Sequence, residues 1–108
     1  MALFEHVFML RQDLSSTDLE SAISNHEKTI KELEGTIVYK ENWGLKNLSY
    51  PIKNNKKAFY RYYQIDIDGK NIQEIKRILT QNEKVIRHLI IKVENHEELP
   101  TKLLKTEN

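Results

Sequence analysis

The chain is 108 residues long, with 39% hydrophobic residues and no cysteine. That suits a single domain with a sizeable core, and it excludes a disulfide framework or a thiolate metal site. The formal net charge is only +1, yet residues 1–35 hold three basic and seven acidic residues while residues 40–61 hold six basic and one acidic. A local basic patch attracts a polyanion even when the whole chain is near neutral. No apolar run approaches the roughly 20 residues needed to span a bilayer. The opening MALFEHVFML lacks the basic region of a signal peptide and reads as a strand. A soluble, intracellular protein with no membrane partner is predicted.

Residues 3–11, LFEHVFMLR, are rich in strand formers. Asp13-Leu14-Ser15 turns the chain, and Ser15 is placed to cap a helix, with Asp18 three residues on. Leu19, Ile23, His26, Ile30 and Leu33 then recur at helical spacing as one apolar stripe, with Glu20, Asn25, Lys28 and Lys31 off it. Gly35 is expected to end this helix in a left-handed conformation. Residues 36–52, TIVYKENWGLKNLSYPI, read as a long strand, residues 53–56 as a turn, and residues 57–67 as the next strand of an antiparallel hairpin. After a turn at Asp68-Gly69-Lys70, Asn71 is expected to cap a second helix, with Glu74 at its third position and Ile72, Ile75 and Leu79 buried. Residues 84–94 read as the last strand. The stretch from 95 to 108 is polar, is interrupted by Pro100 and reads as a flexible tail.

The order β-α-β-β-α-β predicts an α+β, ferredoxin-like sandwich over residues 1–94: a four-stranded antiparallel sheet with both helices on one face. The first and third strands should be central, the second and fourth at the edges. Pro51 cannot donate to a ladder and fits an edge strand, and Gly44 marks a bulge or bend there. In the third strand, Phe59, Tyr63, Ile65 and Ile67 fall on the helix-facing side. Tyr60, Tyr62, Gln64 and Asp66 fall on the open side, where two tyrosines suggest a contact surface.

Catalysis finds little support. His6, His26, His88 and His96 are scattered, with no pair at metal-ligand spacing, and His26 reads as a satisfied, partly buried histidine. Asp66-Ile67-Asp68-Gly69 resembles the start of a calcium loop but lacks its later ligands. Nucleotide-binding and nucleophile-elbow glycine motifs are absent, and three glycines are few for any phosphate-cradling loop. No enzyme activity, cofactor, metal or small-molecule substrate is predicted. Polyanion binding is better supported. Lys53, Lys56 and Lys57 cluster at the expected hairpin tip, Lys46 lies on the same long strand, and Arg61 and Arg87 extend the basic set. Such side chains contact phosphates without sequence specificity. Tyr39, Trp43, Tyr50, Tyr60, Tyr62 and Tyr63 interleave with these cations, and aromatics beside cations stack on unpaired bases.

Three segments carry a family resemblance. FEHVFMLRQDLS, NWGLKNLSYPIKNNKKAFY and EKVIRHLIIKVE are similar, in order, to three motifs of the bacterial small-subunit ribosomal protein six family. The resemblance covers roughly residues 3 to 94, and the middle segment is the most specific. It implies a ferredoxin-like fold and a cytoplasmic place in the small ribosomal subunit. It also implies binding to the central domain of the small-subunit ribosomal RNA, beside ribosomal protein eighteen as heterodimer partner. It would assign RNA contact to Lys46, Lys53, Lys56, Lys57 and Arg87, with Arg61 added from its charge. The apolar part of the same surface, Trp43, Leu45, Leu48 and Tyr50 with Tyr60 and Tyr62, would meet the protein partner. Asn47 stands where the family often has a second basic residue, and Ala58 where it often has glycine; alanine there would be strained if the backbone needed positive φ. Two rivals are a regulatory or protein-binding module of the same fold, since fold alone does not fix function, and an acylphosphatase-like enzyme. The latter needs a phosphate-cradling loop where Gln12-Asp13-Leu14-Ser15 stands.

Overall fold

The computed structural model describes residues 2–93. Its elements are β1 (Ala2–Arg11), α1 (Ser16–Glu32), β2 (Thr36–Ile52), β3 (Asn55–Ile67), α2 (Gly69–Gln81) and β4 (Val85–Lys92). The sheet order is β2-β3-β1-β4, with every neighbouring pair antiparallel. The predicted α+β order is therefore observed, with the first and third strands central. The expected tail, 95–108, lies outside the described residues.

Strand alternation splits β1 and β3 between two cores. Phe4, Phe8 and Leu10 join Tyr63, Ile65 and Ile67 beneath Ala22 and Ile30 of α1 and Ile72, Ile75 and Leu79 of α2. Val7 and Met9 join Ala58, Tyr60, Tyr62 and Ile86 in a second, smaller core on the opposite face. Ser15 caps α1 as expected, its Oγ accepting from the Asp18 N–H at 3.1 Å.

Four local expectations need correction. The left-handed residue after α1 is Glu34, at φ +63°, not Gly35. The Glu34 and Gly35 N–H groups donate to Lys31 and Ile30 carbonyls at 3.0 and 2.9 Å, closing a Schellman end. Glycine is required at 35 for room, since a Cβ there would sit 2.9 Å from both Ile30 and Ile67 side-chain carbons. The cap of α2 is Asp68, whose carboxylate accepts from Lys70 N–H at 3.1 Å. Asn71 instead lies inside the first turn and donates its side-chain amide to the Leu33 carbonyl at 2.9 Å, so it joins the two helices. Glu74 pairs with Arg77 rather than closing a capping box. The predicted four-residue turn is a two-residue one: Ile52 pairs with Asn55, and Lys53 and Asn54 adopt φ +49° and +66°. Positive φ at both positions matches the right-handed twist of the flanking strands. Ala58, finally, is not among the positive-φ residues and is fully buried, so its methyl is accommodated without strain.

Candidate nucleic-acid interface

The tight turn decides how the basic residues are presented. Lys53, Lys56 and Lys57 are all exposed, but they do not hang on a loose loop. Lys56 and Lys57 belong to β3, where consecutive side chains point to opposite faces. Asn55 is 5% exposed and bolts the tip down. Its amide donates to the carbonyls of Lys53 (3.0 Å) and Ile52 (3.3 Å), and its oxygen accepts from Gln12 N–H at 3.2 Å. Gln12 returns the favour by accepting from Lys57 N–H at 3.2 Å. The tip is thus fastened to the end of β1, and the lysine backbones are held before any ligand arrives.

Next to the tip, β2 carries the tryptophan. Gly44 sits at φ +75° beside a register shift between Asn42 and Gly44, the bulge that its presence in a strand predicted. Asn42 Oδ1 accepts from Gly44 N–H at 2.8 Å and steadies the bulge. Trp43, left without a ladder partner, lies flat over Tyr62, with centroids 5.1 Å apart and planes 9° apart, and also stacks on Tyr60 at 6.3 Å. Lys46 Nζ stands 4.9 Å from the Trp43 ring centroid and 5.6 Å from that of Tyr60, within cation–π range. Tyr60 and Tyr62 do lie on the face away from the helices, but they are only 2% and 1% exposed. They support the surface from behind, and Trp43 is the ring above them. Leu45 and Tyr50 are exposed at 47% and 61%, and Leu48 is partly buried in the smaller core.

The two arginines part company. Arg87 lines the same hollow as Lys53, so the tip and the start of β4 share a basic edge. Arg61 lies elsewhere, in a hollow beside Glu20 and Glu27 of α1 and Tyr63. There its guanidinium donates to Asn42 Oδ1 at 2.6 Å and to the Tyr60 carbonyl at 3.1 Å. Burial lowers its pKa. Charge alone groups it with the lysines; its place beside the acidic side chains of α1 sets it apart.

The family model described as Ribosomal protein S6 matches residues 3–92. The chain belongs to the ribosomal protein S6 family. The small ribosomal subunit protein bS6 of Rickettsia felis is 41% identical over 108 residues, covering 100% of this chain and 89% of that protein. That of Zymomonas mobilis is 40% identical over 105 residues, covering 97% of this chain and 85% of that protein. The crystal structure of 30S ribosomal protein S6 from Thermotoga maritima superposes with a TM-score of 0.83 at 23% identity, covering 97% of this chain and 96% of that one; this likeness concerns the fold. The ribosomal protein S6 family is structural and not enzymatic.

Within this S6-family fold, two buried polar clusters escaped the sequence reading. His6 and His26 do form a pair, joined Nε2 to Nε2 at 2.9 Å. His6 Nδ1 donates to the Leu89 carbonyl at 3.0 Å, so neutral His6 accepts at Nε2 and His26 donates. Burial pushes His6 down to about 4 and His26 well below its ordinary value. Among the described residues no three His, Cys, Asp or Glu side chains gather to hold a metal ion. On the other face Tyr62 donates to the fully buried Glu5 carboxylate and accepts from Gln64 at 3.0 Å, and burial first, then Glu5, raises the tyrosine pKa. No sequence spacing signals either cluster, because the partners come from separate elements.

Proposed function

We propose that the chain is a structural constituent of the small ribosomal subunit. It binds the central domain of the small-subunit ribosomal RNA together with ribosomal protein eighteen and supports subunit assembly. Proteins of this bacterial family are cytoplasmic components of the ribosome, and that is its compartment. The observation carrying the RNA half is the bolted hairpin tip, which holds Lys53, Lys56 and Lys57 exposed on a fixed backbone. Positive charge on a preset frame neutralises phosphates and releases counterions without sequence readout. The protein half rests on the strip beside it, where Leu45 and Tyr50 are exposed on an edge strand around Trp43. Edge strands with exposed apolar side chains accept another chain. Lys46 belongs to this strip through its place over Trp43.

Binding to a central-domain RNA fragment, measured across a salt series with and without ribosomal protein eighteen, tests both halves. Tight, salt-dependent binding that needs the partner is expected. Changing Lys53, Lys56 and Lys57 together to Ala should lower the salt slope by about two to three units. An unchanged slope would remove the tip from the RNA site. Binding that is equally tight without the partner would reject obligatory pairing.

A further inference from the structure

Between α1 and the middle of β2 lies a hollow of about 350 Å³ on the helix-covered side of the sheet. Arg61 belongs to this side, since it pairs across the sheet with Phe8 of the helix-covered core. Glu20, Ser24 and Glu27 recur at helical spacing along the wall formed by α1. Lys40, Asn42 and Arg61 come from the strands. Much of the polar capacity is already spent. Glu27 accepts from Lys40 at 3.1 Å and from the Tyr63 hydroxyl at 3.0 Å. Asn42 Oδ1 accepts from Gly44 N–H at 2.8 Å and from Arg61 at 2.6 Å, which ties the guanidinium to the bulge. Three charges are left over. Arg61 donates to two neutral groups, Asn42 Oδ1 and the Tyr60 carbonyl. Glu41, also on the lining, accepts from neutral donors, the Trp43 indole at 3.3 Å and the Tyr39 hydroxyl. Among the described residues Arg61, Glu20 and Glu41 form no ion pair. One positive and two negative charges therefore line a hollow that also has Ile23 in its wall.

A matching ligand carries the reverse set, one carboxylate and two cationic groups, on a chain with aliphatic length. We propose that this hollow binds a free basic α-amino acid of the lysine or arginine type. Its carboxylate lies on the Arg61 guanidinium and the Asn42 amide nitrogen, its two cationic groups on Glu20 and Glu41, and its methylenes against Ile23. A guanidinium presents parallel N–H donors that suit a carboxylate. Asn42, with its oxygen spent on Gly44 and Arg61, has its amide N–H groups left to give. The volume falls in the range of small-molecule sites, roughly 300–1,000 Å³. Carboxylates alone would accept any cation. Arg61 adds a demand for an acid in the same ligand, so recognition requires both signs at once. The proposal uses none of the tip lysines and stands apart from the RNA-binding reading.

The test titrates the full chain at low salt with three probes, following the Arg61 Nε–H and Asn42 side-chain amide signals by NMR. L-lysine carries all three charges, Nα-acetyl-L-lysine amide only the side-chain cation, and L-norleucine only the α-ammonium and carboxylate. L-lysine is expected to move both signals with a dissociation constant on the order of a millimolar, and to bind about fivefold or more tighter than either of the others. Arg61→Gln should abolish the preference for L-lysine over the capped form, and Glu20→Gln should weaken L-lysine severalfold. Neither residue belongs to a core cluster, so both variants should fold. Equally tight binding of the capped form would give the hollow to a lysine side chain of another protein and overturn the free amino acid. Equally tight binding of L-norleucine would overturn the basic assignment. Unmoved signals with every probe well above that concentration would overturn the site itself.

Discussion

The two faces of the sheet bury comparable aromatic rings under very different roofs. On one face His6, Phe8 and Tyr63 gather around His26 of α1, with Phe8 and His26 centroids 4.4 Å apart. On the other, Tyr60 and Tyr62 lie beneath Trp43 of the edge strand, with Lys46 over both Trp43 and Tyr60. The first roof is a helix fixed by caps and an apolar stripe. The second is one bulged strand whose side chains also form the proposed docking strip. Residues there carry stability together with the proposed recognition, whereas residues under the helices face the core.

The contrast is open to breakage by mutation. Phe8→Ala removes a ring that is 1% exposed from the helix-covered core and should cost about 4 kcal/mol, read from denaturant midpoints, with RNA affinity of the remaining folded fraction unchanged. Acid attacks the same face. His6 and His26 are held neutral in the folded chain and regain their ordinary affinity for protons when it unfolds. Their contribution is complete above about pH 6.5 and is lost as pH falls toward 4. For His6, lowered to about 4, the loss should reach about 3 kcal/mol between pH 7 and 4. Denaturation curves at several pH values check it, and a His6→Leu, His26→Leu double variant should flatten the profile in that window.

On the strand-covered face the effects are smaller but double. Trp43→Ala should cost about 2 kcal/mol, less than a fully buried ring because Trp43 is only partly covered, and it should also weaken capture of ribosomal protein eighteen. A loss of stability without a loss of partner binding would separate the two roles. The smallest effect belongs to Lys46→Gln, which removes the cation over Trp43 and should cost about 0.5–1 kcal/mol. If it leaves stability untouched while lowering the RNA salt slope by about one unit, Lys46 is a phosphate contact and not part of the roof.

What could be read from the sequence follows from the range of each signal. Helix stripes, the Ser15 cap, the Gly44 bulge and the edge position of Pro51 depend on neighbours within a few residues, and they stand as expected. Where two local candidates compete, spacing does not choose. Asp68 wins the cap of α2 because Asn71 is drawn off to the Leu33 carbonyl. Glu34 takes the left-handed position because Gly35 is needed for clearance against Ile30 and Ile67. The parity of β3 placed Tyr60 and Tyr62 on the correct face, but only the tertiary fold shows Trp43 folded over them. The site was legible as a basic, aromatic segment. Its division, with Arg61 beside α1 and Arg87 beside the tip, depends on contacts far apart in sequence.

Asn55 has a consequence for when the surface exists at all. The hairpin of β2 and β3 is local and can pair early, but the bond from Gln12 N–H to Asn55 joins residues 43 apart in sequence. It forms only after β1 has slotted in beside β3, a slower, long-range step. A chain that has zipped its hairpin but not closed its sheet therefore carries the lysines without their platform. The junction is therefore among the last parts of the hairpin tip to be set, and the tip reaches its final shape only when the sheet is closed.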